Sequence, residues 1–171
     1  ADRKTLELEE ALLKASEGGR IPVVCDQSPC LHRMREQMNR IRPLELLEFV
    51  HDYMADRLDF HPTDEHIALH LTCSTRRMEL TDKVISLARR CSSHVLLPEG
   101  VGCCGFAGDK GFFNPELNAY ALRKLRAQIE KHGVRRGFSN SRTCEIGLTT
   151  HSGVPYQSLL YLIDECTSPK A

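Results

Sequence analysis

Apolar positions along this chain follow two periods that take turns, one suited to helices and one to strands. Leu6 to Lys14 is rich in Leu, Glu and Lys and stops at Gly18-Gly19, the pattern of a helix closed by glycines. Ile21-Pro22-Val23-Val24 is a short apolar run ending at Cys25 and Cys30, which predicts a buried strand running into a loop. Pro43 then opens a segment in which Leu46, Leu47, Val50, Tyr53 and Met54 recur at helical spacing, with Glu45, Glu48 and Asp52 on the opposite side.

A second strand is predicted from His66 to Thr72, leading into Cys73 and a helix with the stripe Leu80, Val84, Leu87 and Ala88. His94 to Leu97 reads as the third strand. It runs into Pro98 and the glycine-rich stretch Gly100-Val101-Gly102-Cys103-Cys104-Gly105, where turns are expected. Asn114 and Pro115 supply a cap and a first-turn proline for a helix carrying Leu117, Ala121, Leu122, Leu125 and Ile129, closed by Gly133. Arg136 to Ser139 predicts a fourth strand running into Cys144, and Tyr156 to Glu165 a closing helix. The order β-α-β-α-β-α-β-α predicts an α/β fold, a mostly parallel sheet built from βα units with helices on its faces, whose functional groups gather beyond the carboxyl ends of the strands. The expected division is a lead-in helix over residues 1–19 and one cysteine-rich domain over residues 20–171.

Composition narrows the classes of function. A chain of 171 residues with 41% apolar content supports one well-packed core. Its 23 basic and 23 acidic side chains cancel, which argues against capture of nucleic acid and favours small-molecule or protein partners. No apolar run approaches a membrane-spanning length, and Ala1-Asp2-Arg3-Lys4 does not open an export signal, so a cytoplasmic setting is expected. The start without Met, directly into a charged segment, is expected of a piece cut from a longer chain. Eight cysteines in such a setting point to metal or redox chemistry rather than structural disulfides.

Four of those cysteines, Cys73, Cys103, Cys104 and Cys144, lie just after predicted strands, so a parallel sheet would bring them to one edge. Thiolates gathered there suit soft metals, either zinc or an iron–sulfur cluster, and adjacent cysteines fit more easily around several irons than around one ion. Gly102 and Gly105 would let the backbone approach such a cluster. Gly100-x-Gly102-x-x-Gly105 formally matches a dinucleotide fingerprint, but that motif needs a helix starting at its last glycine, and Phe106 to Phe113 intervenes. Cys91 and Cys166 continue apolar helical stripes and read as core. Cys25 and Cys30 stand open between ligand and packing. Aligning Cys30 on Cys144 sets Asp26-Gln27-Ser28-Pro29 over Asn140-Ser141-Arg142-Thr143, which suggests two related repeats, the first truncated and the second complete from about residue 66 to 165. His66 and His70 share a strand face, so one of them could point toward the site, although a surface or core imidazole is the ordinary reading. A Cys73–His70 nucleophile has only proximity in its favour.

Cys73, Cys103-Cys104-Gly105 and Cys144 together resemble the CCG, or cysteine-rich, domain found in heterodisulfide reductases and in the iron–sulfur component of glycolate oxidase. Gly102-Cys103-Cys104-Gly105-Phe106-Ala107-Gly108 and Ser141-Arg142-Thr143-Cys144-Glu145-Ile146-Gly147 are similar to the C-terminal part of fused dehydrogenases of the D-lactate and D-2-hydroxyglutarate type, which carry FAD and iron–sulfur centres. The resemblance implies a 4Fe-4S type cluster on the four cysteines, FAD in an upstream domain, and electrons passing from reduced flavin to a protein or quinone acceptor. It also implies that this domain alone lacks dehydrogenase activity, and that it works in the cytoplasm or against the inner face of a membrane. The chain departs from the family pattern at one point: a closing Cys-x-x-Cys is replaced by Cys144 followed by Glu145, Ile146 and Gly147. The rival expectations are a zinc-stabilised interaction domain and a thiol-redox protein.

Overall fold

The computed structural model describes residues 3–170, so Ala1, Asp2 and Ala171, the outer ends of the two expected segments, lie outside it, as does the side chain of Ser28. The chain begins with helix α1 (Arg3–Ala15), which ends in left-handed backbone at Glu17, Gly18 and Gly19. The Glu9 carboxylate on α1 accepts the backbone amides of Asn39 and Arg40, both at 2.7 Å. That pair of bonds ties the helix to the loop that follows α2.

Next comes a short unit: strand β1 (Val24–Cys25), helix α2 (Ser28–Gln37), strand β2 (Leu44–Glu45) and helix α3 (Leu46–Phe49). The segment beginning at Ile21 therefore forms a much shorter strand than its apolar run predicts. It pairs in parallel with β2 in a separate two-stranded sheet and does not join the main one. Helix α3 opens with a capping box, in which Glu45 accepts the amides of Leu47 and Glu48 while the Glu48 carboxylate accepts the amide of Glu45. The helical pattern then widens into a π turn over Val50–Met54 and tightens into a 3₁₀ turn over Ala55–Arg57. The extra residue per turn changes the phase of the stripe, so Tyr53 and Met54 are exposed rather than core-facing.

Strand β3 (Leu58–Phe60) leads to β4 (Thr63–Leu69), which is followed by α4 (Cys73–Arg77), α5 (Thr81–Cys91) and β5 (Ser92–Leu96). After a long irregular stretch come α6 (Lys110–Phe113), α7 (Pro115–Ala121), α8 (Leu125–Lys131) and β6 (Arg136–Ser139). The predicted single helix from Asn114 is thus two helices. Asn114 makes no side-chain cap bond, and Leu117 is exposed. The chain ends with α9 (Arg142–Ser152), β7 (Tyr156–Ser158), α10 (Leu159–Glu165) and β8 (Thr167–Pro169), the last pairing antiparallel with β3.

The main sheet is all parallel, in the order β5-β4-β6-β7, and helices cover both of its faces. One core packs Ile67, Leu69 and Phe138 against α5 and α10; the other packs Ala68 against α8 and α9 and holds Cys104 and Cys144. The protein is an α/β fold, as the alternating periods predict. Chain direction out of the sheet reverses between its two central strands. β4 crosses to β5 through α5 on one face, whereas β6 crosses to β7 through α9 on the other. The carboxyl ends of β4 and β6 therefore flank the switch point, the place where α/β sheets bind their ligands.

Candidate metal centre

Three chain segments carry cysteines toward that switch point. From β4, Leu69 continues through His70 to Thr72, whose hydroxyl accepts the Thr75 amide at 3.2 Å and caps α4. Cys73 is thereby the first residue of a helix and is exposed. From β6, Ser139 and Asn140 run into α9, where Cys144 sits in the first turn and is buried. The third segment is the irregular stretch after β5, which carries Cys103 exposed and Cys104 buried.

The sulfurs of Cys104 and Cys144 lie 2.9 Å apart, both cysteines being free thiols. Cys103 accepts the Gly105 amide at 3.3 Å and feels the charge of Cys73. Cys73 in turn acts electrostatically on Cys144. Of the four cysteines singled out by position after a strand, Cys104 and Cys144 are in contact, and Cys73 acts electrostatically on Cys103 and on Cys144. Among the described residues, no group of three or more His, Cys, Asp or Glu side chains is arranged to hold a metal ion.

Position within this group sets each thiol's acidity. The hydrogen bond shared with Cys144, opposed by burial and aided by the Phe106 amide and the Cys103 thiol, brings Cys104 down to about 7. Cys144 goes the other way, held protonated first by its bond to Cys104 and then by burial. Burial also raises Cys103. The arrangement is a proton-sharing pair that lowers Cys104 and raises Cys144, and the thiolate is the form of cysteine that ligates metals and attacks electrophiles.

The loop that presents Cys103 and Cys104 is held from behind. Asn118 of α7 donates its side-chain amide to the Cys104 carbonyl. Gly105 has φ +74°, and a Cβ there would meet the Leu117 carbonyl at 2.6 Å and Ala121 Cβ at 2.8 Å. Close packing on α7, together with the left-handed backbone, accounts for this glycine, whereas Gly102 has open space around its Cα. Gly147, where the family pattern places its last cysteine, packs against Asn118 and the Phe106 ring.

Beside the thiols, a buried polar network joins the short unit to the main sheet. The Asn140 side-chain amide donates to Glu45 Oε1 at 3.2 Å and to Thr75 Oγ1 at 2.8 Å. Burial raises the Glu45 carboxyl despite the hydrogen bonds it accepts, and burial likewise raises Glu145 against the pull of Arg142. Glu45, Asn140 and Glu145 line a cavity of about 350 Å³ together with Ser141 and Ser158. Sequence reasoning missed Asn140 and Glu45 as partners, because the contacts of Asn140 are 65 and 95 residues away.

The remaining cysteines separate cleanly. Cys91 and Cys166 belong to the core between α5 and α10, with Cys91 pushed up to about 12 chiefly by burial. Cys25 is half-buried at the end of β1, its sulfur 3.6 Å from the Gln27 carbonyl, and Cys30 is exposed on α2. The resemblance carried by Cys103-Cys104 and by the residues around Cys144 finds no wider match: no family model fits the chain, and no curated protein is similar to it.

Proposed function

We propose that this chain is the iron–sulfur electron-transfer domain of an FAD-linked 2-hydroxy-acid dehydrogenase, with Cys73, Cys103, Cys104 and Cys144 as the ligands. The observation that carries this reading is the meeting of the Cys104 and Cys144 sulfurs at 2.9 Å, from segments 40 residues apart, at the switch point of a parallel sheet. The donor set fits the group: four soft sulfur donors, two buried and two open to solvent, with one thiol already tuned toward the thiolate. The flavin partner rests on the resemblance of residues 102–108 and 141–147 to fused dehydrogenases.

A bound cluster would supply reversible one-electron transfer. The chain's own residues hold and shield it. Asn118 and Gly105 fix the loop bearing the double cysteine, and Thr72 caps the helix that presents Cys73. Cys104 and Cys144 face the dry second core, while Cys73 and Cys103 reach solvent, the side from which an electron partner has access.

Anaerobic reconstitution with iron and sulfide tests the proposal. Wild type should take up iron and acid-labile sulfide with broad visible absorbance, and Cys104→Ser should lose most of both. Full metal content in Cys104→Ser would refute the ligand assignment. Uptake of zinc alone, without colour, would replace the proposal with a structural metal site.

A further inference from the structure

Among the described residues, two buried side-chain polar atoms have no hydrogen-bond partner, His70 Nε2 and the Tyr156 hydroxyl. A buried polar group left unpaired costs free energy, so each calls for a physical account. Tyr156 lies with its ring over Gly137, within the second core. His70 has a more informative position.

His70 is 2% exposed and extends the β4 ladder by one residue, donating its amide to the Phe138 carbonyl at 2.8 Å. Side chains along this strand alternate between the two cores: Ile67, Leu69 and Leu71 belong to the first, and Ala68 to the second with Cys104 and Cys144. The same alternation sets His70 on the cysteine face, at the strand end that leads to Cys73.

The tautomer follows from its one side-chain contact. His70 Nδ1 lies 3.2 Å from Oγ of Ser139, which is itself 1% exposed. Were Nδ1–H to donate, the hydroxyl proton and the Nε2 lone pair would both be stranded. With the hydroxyl donating to Nδ1, only an Nε2–H is left over, so fewer groups go unpaired. Burial, and after it the charge of Arg76, keeps this imidazole neutral, its pKa lowered to about 4.

We propose that His70 is a positioning residue of the metal centre, its Nε2–H donating a hydrogen bond to a sulfur of the cluster held by Cys73, Cys103, Cys104 and Cys144. The inference rests on the iron–sulfur reading above. Among the described residues no sulfur is hydrogen-bonded to Nε2, so the acceptor in this proposal is sulfur that the cluster itself brings. Such a bond stabilises the more negative, reduced cluster and raises its potential.

The test uses reconstituted wild type, His70→Phe and His70→Gln, with redox titration of the visible spectrum and ¹⁵N-edited NMR of the wild-type imidazole. On loading, the wild-type Nε2–H should become paramagnetically shifted and slow to exchange. His70→Phe, which keeps a planar ring but has no donor, should give a more negative midpoint at unchanged iron and sulfide content, and His70→Gln, with a terminal N–H, should recover part of the difference. An Nε2–H signal that is the same in metal-free and loaded protein overturns the proposal, and so does a wild-type midpoint in loaded His70→Phe; both are the signs of an internal water as the partner. The NMR result decides even if a variant fails to load. A wild type that takes up no iron removes the cluster reading and this inference together, whereas a loaded wild type with an unchanged imidazole removes only this one.

Discussion

The chain runs twice through the same series of elements, and the two passes end differently. In β1-α2-β2-α3 and again in β6-α9-β7-α10, a strand is followed by a helix with cysteine as its third residue, then by a parallel partner strand, then by a helix that begins at the very next residue. Even the capping device recurs, with the last strand residue, Glu45 or Ser158, accepting amides of the helix it opens. Yet Cys30 is exposed on α2, while Cys144 is buried and touches a second thiol. The difference lies outside the repeat. β6 and β7 belong to a four-stranded sheet whose switch point brings in the loop of Cys103 and Cys104, whereas β1 and β2 form a sheet of two, and α2 packs on α4 with Cys30 left exposed. A βα unit can present a thiol, but a neighbouring crossover is needed to make a site.

The largest test of that contrast is to remove each unit's cysteine in turn. Cys144→Ser should abolish cluster uptake, and Cys30→Ser should leave iron and sulfide content at the wild-type level, both read by metal and sulfide assay after anaerobic reconstitution. Equal losses in the two variants would mean that the first unit also contributes a ligand.

Only the second unit has a buried imidazole against its first strand, His70 on Ser139, and this gives it a pH signature. His70 falls from 6.5 to about 4 on folding, so between those values the unfolded chain binds a proton that the native state refuses, and stability falls as pH falls. At about 1.4 kcal/mol per unit, the metal-free wild type should lose roughly 3 kcal/mol more than His70→Phe between pH 7 and pH 4 in urea titrations. Glu45 and Glu145, both raised by burial, act in the opposite sense, since their contribution is lost as pH rises. The difference between the two proteins isolates the histidine.

Three residues beyond each cysteine the units diverge again. A methyl at Gly147 would meet Asn118 Nδ2 at 2.5 Å and the Phe106 ring at 2.9 Å, so Gly147→Ala should destabilise by about 1–3 kcal/mol and loosen the loop bearing Cys104. At the matching position of α2, Arg33 is exposed, and Arg33→Ala should change stability by no more than about 0.5 kcal/mol. Urea midpoints at pH 7 measure both.

Much of this contrast is legible in the sequence, and the missing parts have local causes. Strand β6 falls on its predicted residues and α5 lies close to its stripe, because a buried parallel strand and an amphipathic helix leave clear periods, while β4 is set three residues earlier than predicted and ends at Leu69. Helix α9 leaves no such pattern: Gly147 and the pair Thr149-Thr150 are poor helix formers, and burial of Cys144 and Leu148 stabilises the helix instead. Strands of two or three residues, such as β2, β3, β7 and β8, are too short to show alternation. The four cysteines can be found because position after a strand is a local property. Asn140 and the orphaned nitrogen of His70 cannot, since what matters about them is a partner, or the lack of one, across the sheet.

Iron K-edge X-ray absorption of the anaerobically reconstituted chain tests whether thiols from three crossovers bind one polynuclear iron–sulfur group. Scattering from sulfur neighbours alone, with an additional iron–iron shell, is the predicted result. Iron surrounded by oxygen and nitrogen, with no iron–iron shell, would contradict it.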